Sequence, residues 1–237
     1  MIYKNETVLP FWQWPAFILF KSHSSILPIV FLVGVVLAAI YVLFIGKRTR
    51  MAFFILWFGI VNINNQVYPT LSGGDYLFQH LLFFAMFLSP ATIYKSEALN
   101  DLDKAIHNFG MIALRVQVCL VYFLAAYTKL LDPDWLSGNA VNGSLMVSDY
   151  SLPFYHNGLG SLGVFLNWSV IAYQLLFPIL VWSRTIKKWF LLIGVLQHLF
   201  IALVMGLPSF GFIMIIAYAV FYVPEFKTKS SISVELK

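Results

Sequence analysis

The stretch NFGMIALRVQVCLVYFLAAYTKL, Asn108–Leu130, decides how the rest of the chain is read. It is long and apolar enough to cross a bilayer, which takes about 20 residues of helix. Yet it carries Arg115, Gln117, Tyr122 and Lys129. In hydrocarbon such side chains are costly unless another part of the protein partners them. Arg115, Tyr122 and Lys129 are each seven residues apart, so on a helix they fall on one stripe. A single apolar helix with a polar stripe needs neighbours, and the sequence supplies them.

Six further apolar runs fall at Ile26–Gly46, Met51–Asn64, Tyr76–Tyr94, Ser161–Trp182, Trp189–Gly206 and Phe210–Val223. With Asn108–Leu130 they predict an all-α, polytopic transmembrane helix bundle of about seven spans. The second and last are short, which suits a tilted, broken or re-entrant segment. Composition agrees: of the 237 residues 60 % are hydrophobic and 11 % charged, where a soluble domain has about a quarter charged. The mean hydropathy is +0.82.

Lysine and arginine set the orientation. Eleven of the 15 positive charges lie in alternate connections: Lys47, Arg48 and Arg50; Lys95 and Lys104; Arg184, Lys187 and Lys188; Lys227, Lys229 and Lys237. The positive-inside rule places these in the cytoplasm, with the N-terminus outside and the C-terminus inside. Residues 1–25, with Trp12 and Trp14, read as an N-terminal interfacial segment. No signal peptide is expected, because Lys4 is followed by Glu6 and Pro15 interrupts the short run Phe11–Phe20. Residues 26–225 are the bundle, including an extracytoplasmic connection at 131–160, and 226–237 form a cytoplasmic tail.

Of the polar groups inside spans, His198 stands on a face with Gly194, Ala202 and Gly206. Small residues at that spacing admit a neighbouring helix, so His198 is expected to point inward. It is either a packed histidine bonded to a neighbour, or a proton carrier or ligand contact. Arg115 and Lys129 could snorkel to the interfaces. For Lys129 that reading is weaker, because a lysine at an outer end runs against the charge rule; half-buried, it could act as a base. Asn62, Asn64, Asn65, Asp75, Gln79 and His80 read mostly as helix caps and loop solvation. Asn167 and Gln174 share a face ahead of Pro178.

Other chemistries find no support. The single cysteine, Cys119, excludes an intrachain disulfide. The five histidines are too scattered to suggest a metal site, and the basic residues too dispersed for nucleic acid.

The block from Arg115-Val-Gln117 through Tyr122-Phe and Lys129-Leu, then Asp132-Pro-Asp-Trp135-Leu-Ser-Gly138, resembles the signature helix and loop of the vitamin K-dependent gamma-carboxylases. It is equally similar to their bacterial relatives, the horizontally transferred transmembrane (HTTM) domains. His198 to Phe210 is similar to a later helix of that family. The resemblance implies a lysine base at Lys129 with His198 in the same cavity, closed by the Asp132–Gly138 loop. Tyr122, Arg115, Gln117 and Trp135 would then face a reduced quinone of the vitamin K hydroquinone or menaquinol type, and no metal is implied. Two departures stand out. The carboxylases carry a large extramembrane domain after the helices, whereas this chain stops at Lys237. Their histidine near the third helix has no match in Ser89–Ser96.

Small bacterial relatives in that group include a membrane factor needed to mature a sporulation-delaying peptide toxin together with partner proteins. Two functions are therefore expected. One is a quinone-dependent, carboxylase-like oxidoreductase. The other is a non-catalytic component for maturing or exporting a secreted peptide, with membrane lipid and a membrane partner protein around it. Either would sit in a bacterial inner membrane.

Overall fold

The structure is a computed structural model, and it describes residues 26–66, 71–90, 99–147, 158–223 and 225–226. The N-terminal interfacial segment and nearly all of the C-terminal tail lie outside these residues, as does the middle of the 131–160 connection. Among the described residues every regular element is helical. In chain order they are α1 (Ile26–Ile40), continued by a π-helical turn (Tyr41–Ile45), α2 (Thr49–Gln66), α3 (Gly73–Ala85) and α4 (Asp101–Leu130). Then come two short helices, α5 (Pro133–Leu136) and α6 (Ala140–Met146), followed by α7 (Ser161–Leu180), α8 (Lys187–Leu203) and α9 (Pro208–Ala217). A 3-10 turn (Tyr218–Phe221) extends α9.

Three of these helices are long and apolar enough to cross a membrane: Ile26–Ile45, Asp101–Leu130 and Ser161–Leu180. Pro208–Phe221 is a shorter apolar helix. Ile29, Val33, Leu37 and Phe44 all stand exposed on the first span, which in water would be a large standing cost. In lipid it is none. The chain is a helical membrane protein.

Two compact units divide the chain. The first contains α1, α2, the end of α3 and the start of α4 as far as Gly110. Within it α1 lies against α2, where Gly59 faces Val35 so closely that any side chain would collide. Aromatic rings fill the rest: Trp57 meets Phe83 at 5.6 Å and Phe87 meets Phe109 at 5.6 Å between centroids. Asn62 and His107 are buried here and satisfied, Asn62 donating to Phe58 O at 2.8 Å and His107 Nδ1 accepting from the Ser89 N–H at 3.0 Å. The capping expectation for Asn62 is thus replaced by a bond within its own helix.

The second unit takes the start of α3, the rest of α4 and everything from α5 to Phe226. At its start Ser72 and Asp75 form a reciprocal cap, the Ser72 N–H and hydroxyl both donating to Asp75 Oδ2 at 2.7 Å. His80 Nδ1 is bonded to Tyr76 O one turn back, at 2.8 Å. Both fit the capping and solvation expectation.

Helix α4 begins at Asp101, seven residues before the apolar run. Asn100 Oδ1 accepts from Asp103 N at 2.7 Å, and two aspartates occupy the first turn, where the positive end of the helix dipole favours them. Hydropathy cannot see such a polar start. Helix α8 in turn stops at Leu203, so Gly206 leaves the expected small-residue face and sits in the turn before α9.

Helices α8 and α9 form a tight antiparallel pair hinged at Gly206–Leu207. A Cβ on Gly211 would lie 2.7 Å from Ala202 Cβ, closer than real contacts allow. Gly211→Ala is therefore expected to destabilise the protein by about 1–3 kcal/mol through overpacking. Gly143→Ala, at an exposed position of α6 with nothing within 4 Å, should be neutral or slightly stabilising. Thermal unfolding in mild detergent checks both.

Candidate functional site

Polar side chains from α4, α7, α8 and the final turn meet at the centre of the second unit. Tyr122 of α4 is 1 % exposed and His198 of α8 is 2 % exposed. Tyr122 Oη lies 2.6 Å from His198 Nε2 and is also bonded to Tyr218 Oη. Tyr218 Oη lies 3.3 Å from Tyr173 Oη, and the Tyr173 hydroxyl donates to Phe190 O at 3.2 Å. Rings seal the group: Phe177 stacks on Tyr122 at 3.9 Å and Phe190 on Tyr173 at 4.5 Å. Gly194 makes the room, for a Cβ there would strike the Tyr173 and Tyr218 hydroxyls.

The far end of this chain of bonds fixes its direction. A carbonyl can only accept, so Tyr173 spends its proton on Phe190 O. Tyr218 then donates to Tyr173, and Tyr122 to Tyr218. With its one proton used, Tyr122 can only accept from His198, which must carry its hydrogen on Nε2. His198 Nδ1 is buried with no partner. The same assignment makes it a bare lone pair, which costs less than an orphaned N–H.

The rest of the stripe on α4 is partnered separately. Arg115 donates from Nε to Val220 O at 3.1 Å and from Nη2 to Val223 O at 2.8 Å, and pairs with Glu225. Lys187 Nζ adds a bond to Phe221 O at 2.9 Å. Two cations thus close the carbonyl end of the last helix, where its dipole is negative. Arg115 thus stands in the middle of α4 with its guanidinium bonded to backbone carbonyls. Gln117 is half-buried and joins neither group.

Lys129 stands at the other end of α4. Its Nζ lies 4.7 Å from the Trp135 ring centroid and 3.4 Å from Ala125 O. That cation–π contact explains the tryptophan of the Asp-x-x-Trp-x-x-Gly sequence, and the other two positions have equally local reasons. Asp132 caps α5 by accepting from Asp134 N at 2.9 Å. Gly138 takes φ +82°, and a Cβ there would lie 2.9 Å from Val164 on α7. Asn167 then ties the loop down, its Nδ2 donating to Trp135 O at 2.8 Å.

Of the residues expected at a site, the structure brings Tyr122 to His198 and Lys129 to Trp135, as two groups. Tyr122 and His198 of the first group are both buried. Tyr173, Tyr218 and Asn142 escaped notice in the sequence. A tyrosine in mid-span signals a hydroxyl that needs a partner, and Tyr173 and Tyr218 carry that signal. Asn142 carries none; its Oδ1 accepts from Leu159 N at 2.8 Å and its Nδ2 donates to Gly160 O at 2.9 Å, clamping the start of α7. Among the described residues no group of histidine, cysteine or carboxylate side chains could hold a metal.

These features define a helical membrane protein with a sealed tyrosine–histidine core and a lysine capped by a tryptophan loop. The chain is similar to the sporulation-delaying protein SdpB of Bacillus subtilis (strain 168), with 25 % identity over 197 residues. The match covers 76 % of this chain and 60 % of SdpB, so the chain spans about three fifths of that relative's length. No family model matches the chain. No solved structure matches it either.

Two measurements test the core. Nitrogen-15 NMR of the protein in detergent should show His198 as the Nε2–H tautomer. Tyr122→Phe and Tyr218→Phe should each cost about 1–2 kcal/mol of unfolding free energy. Their double variant should cost less than the sum, because both remove the same bond; strict additivity would mean that the hydroxyls do not form one network.

Proposed function

We propose that this protein is a non-catalytic integral membrane component of a system that matures or exports a secreted peptide. It works in a bacterial cytoplasmic membrane with at least one membrane partner protein. The observation that carries this reading is the similarity to SdpB, a sporulation-delaying protein. The block Arg115–Gly138 supports it, since the group that it resembles includes a membrane factor needed to mature such a peptide toxin. The geometry is compatible: Arg115, Tyr122, His198 and Tyr218 all have packing and hydrogen-bonding work to do. Seven spans with the N-terminus outside complete the proposal, on the distribution of lysine and arginine. Lys129, Trp135 and the 131–160 connection then face the side to which a peptide is released.

A second reading, a reduced-quinone-dependent carboxylase-like enzyme, keeps one observation of its own. Lys129 has no carboxylate partner among the described residues, and its ammonium rests on an indole face and a single carbonyl. A base needs such a lysine more than an anchor does.

The two readings part at Lys129. Deleting the gene in its own host should remove the mature form of one peptide from the medium, as seen by mass spectrometry. A Lys129→Ala copy should restore it to near the wild-type level. If only the wild-type copy restores it, and purified protein oxidises menaquinol in air in a lysine-dependent way, the enzyme reading takes over.

A further inference from the structure

The first unit holds a feature that neither reading uses. A cleft of about 420 Å³ opens where the chain passes from the first span into α2, lined by Lys47, Arg48, Thr49 and Arg50 with Ser89 and Asp103 opposite. Its charge is one-sided: Asp103 Oδ1 pairs with Arg50 Nη2 at 2.9 Å, and Lys47 and Arg48 add two further cations.

Backbone geometry sharpens the preference for an anion. Lys47 takes φ +49°, a left-handed conformation that costs a non-glycine residue energy and turns the chain sharply into α2. The first helical bond into α2 runs from Ala52 N to Arg48 O at 3.0 Å. The N–H groups of Thr49, Arg50 and Met51 therefore have no acceptor in their own helix, and the helix dipole adds positive potential there.

An independent observation points to a missing acceptor. Thr49 is 1 % exposed, and its hydroxyl is buried without a hydrogen-bond partner. Arg50 Nε is likewise buried and unpartnered. A buried hydroxyl and a buried guanidinium N–H beside the cations Lys47 and Arg48 and open amides are the donor set that a phosphate group satisfies.

Depth selects the source of that phosphate. The first span, Ile26–Ile45, has the 20 apolar residues that cross the hydrocarbon once. The residues just after it stand at headgroup level, where lipid phosphates are concentrated. We infer that the Lys47–Arg50 cleft binds the phosphate of an anionic phospholipid headgroup and so anchors the α1–α2 hairpin. This inference is independent of the proposed function.

The test uses the full chain, purified and delipidated in a zwitterionic detergent. Dioleoyl-phosphatidylglycerol, dioleoyl-phosphatidylcholine and inorganic phosphate are titrated separately, with bound lipid counted by native mass spectrometry and the unfolding midpoint followed. Phosphatidylglycerol should remain bound and raise the midpoint, with phosphatidylcholine and inorganic phosphate well behind. Lys47→Gln/Arg48→Gln should abolish that difference, and Thr49→Val should weaken phosphatidylglycerol binding about tenfold, as expected for a lost bond to a charged group. Thr49→Val keeps the shape of the side chain, so it decides the matter if the double variant fails to fold. Equal stabilisation by the two lipids, an effect of inorganic phosphate alone, or unchanged phosphatidylglycerol binding in Thr49→Val would each overturn the inference.

Discussion

The second unit is organised around the Phe190 carbonyl, the fixed acceptor at the end of a run of hydroxyls that hydrocarbon cannot solvate. Inside a bilayer a polar group finds its partner within the protein or goes without. Tyr173, Tyr218, Tyr122 and His198 solve this jointly, each passing its one donor to the next. Because the last acceptor is backbone, the direction of every bond is set, and so is the tautomer of His198. The same requirement explains Arg115 and Lys187, which neutralise the open carbonyls of the last helix. Gly194 and Gly211 follow from it as well: bonds of this length between helices need backbones or side-chain tips closer than a Cβ permits.

What could be read from the sequence follows the same line. The apolar runs gave the helices, because each buries or exposes a continuous hydrocarbon surface that composition records directly. The stripe of Arg115, Tyr122 and Lys129 was legible because a helix repeats nearly every seven residues, and all three residues do turn out to be engaged. Their partners were not legible. For Arg115 and Lys129 these are Val220 O, Val223 O and Ala125 O, backbone atoms with no residue-type signature, and a carbonyl accepts whatever side chain hangs from it. The start of α4 at Asp101 was missed for a related reason, since a polar first turn is stabilised by capping and the dipole, which hydropathy ignores. Gly206 was assigned to a helix face by spacing alone, although it sits in the turn before Pro208, where the chain must leave α8.

In the Asp132–Gly138 segment every position of the motif has a local structural reason. Its aspartate caps a four-residue helix, its tryptophan covers Lys129, and its glycine supplies a left-handed turn against Val164. Each residue type is demanded by local structure before any reaction is invoked. The resemblance therefore bears on how α4, α5 and α7 are built more directly than on what the protein does.

Lys129 is where structural demand is weakest and function has the most freedom. Arg115 makes bonds to two carbonyls and a carboxylate, so its charge is fully spent on architecture. Lys129 makes one long bond within its own helix and rests on an indole, a contact worth about 0.5–1 kcal/mol at a partly exposed site. That is little return for a cation in the last turn of an apolar helix. The surplus has to be recovered outside the described residues, by water, by a headgroup or by something that arrives. A peptide of the kind the proposed function requires, whose backbone carbonyls and C-terminal carboxylate are strong acceptors, has the chemistry to supply what the lysine lacks.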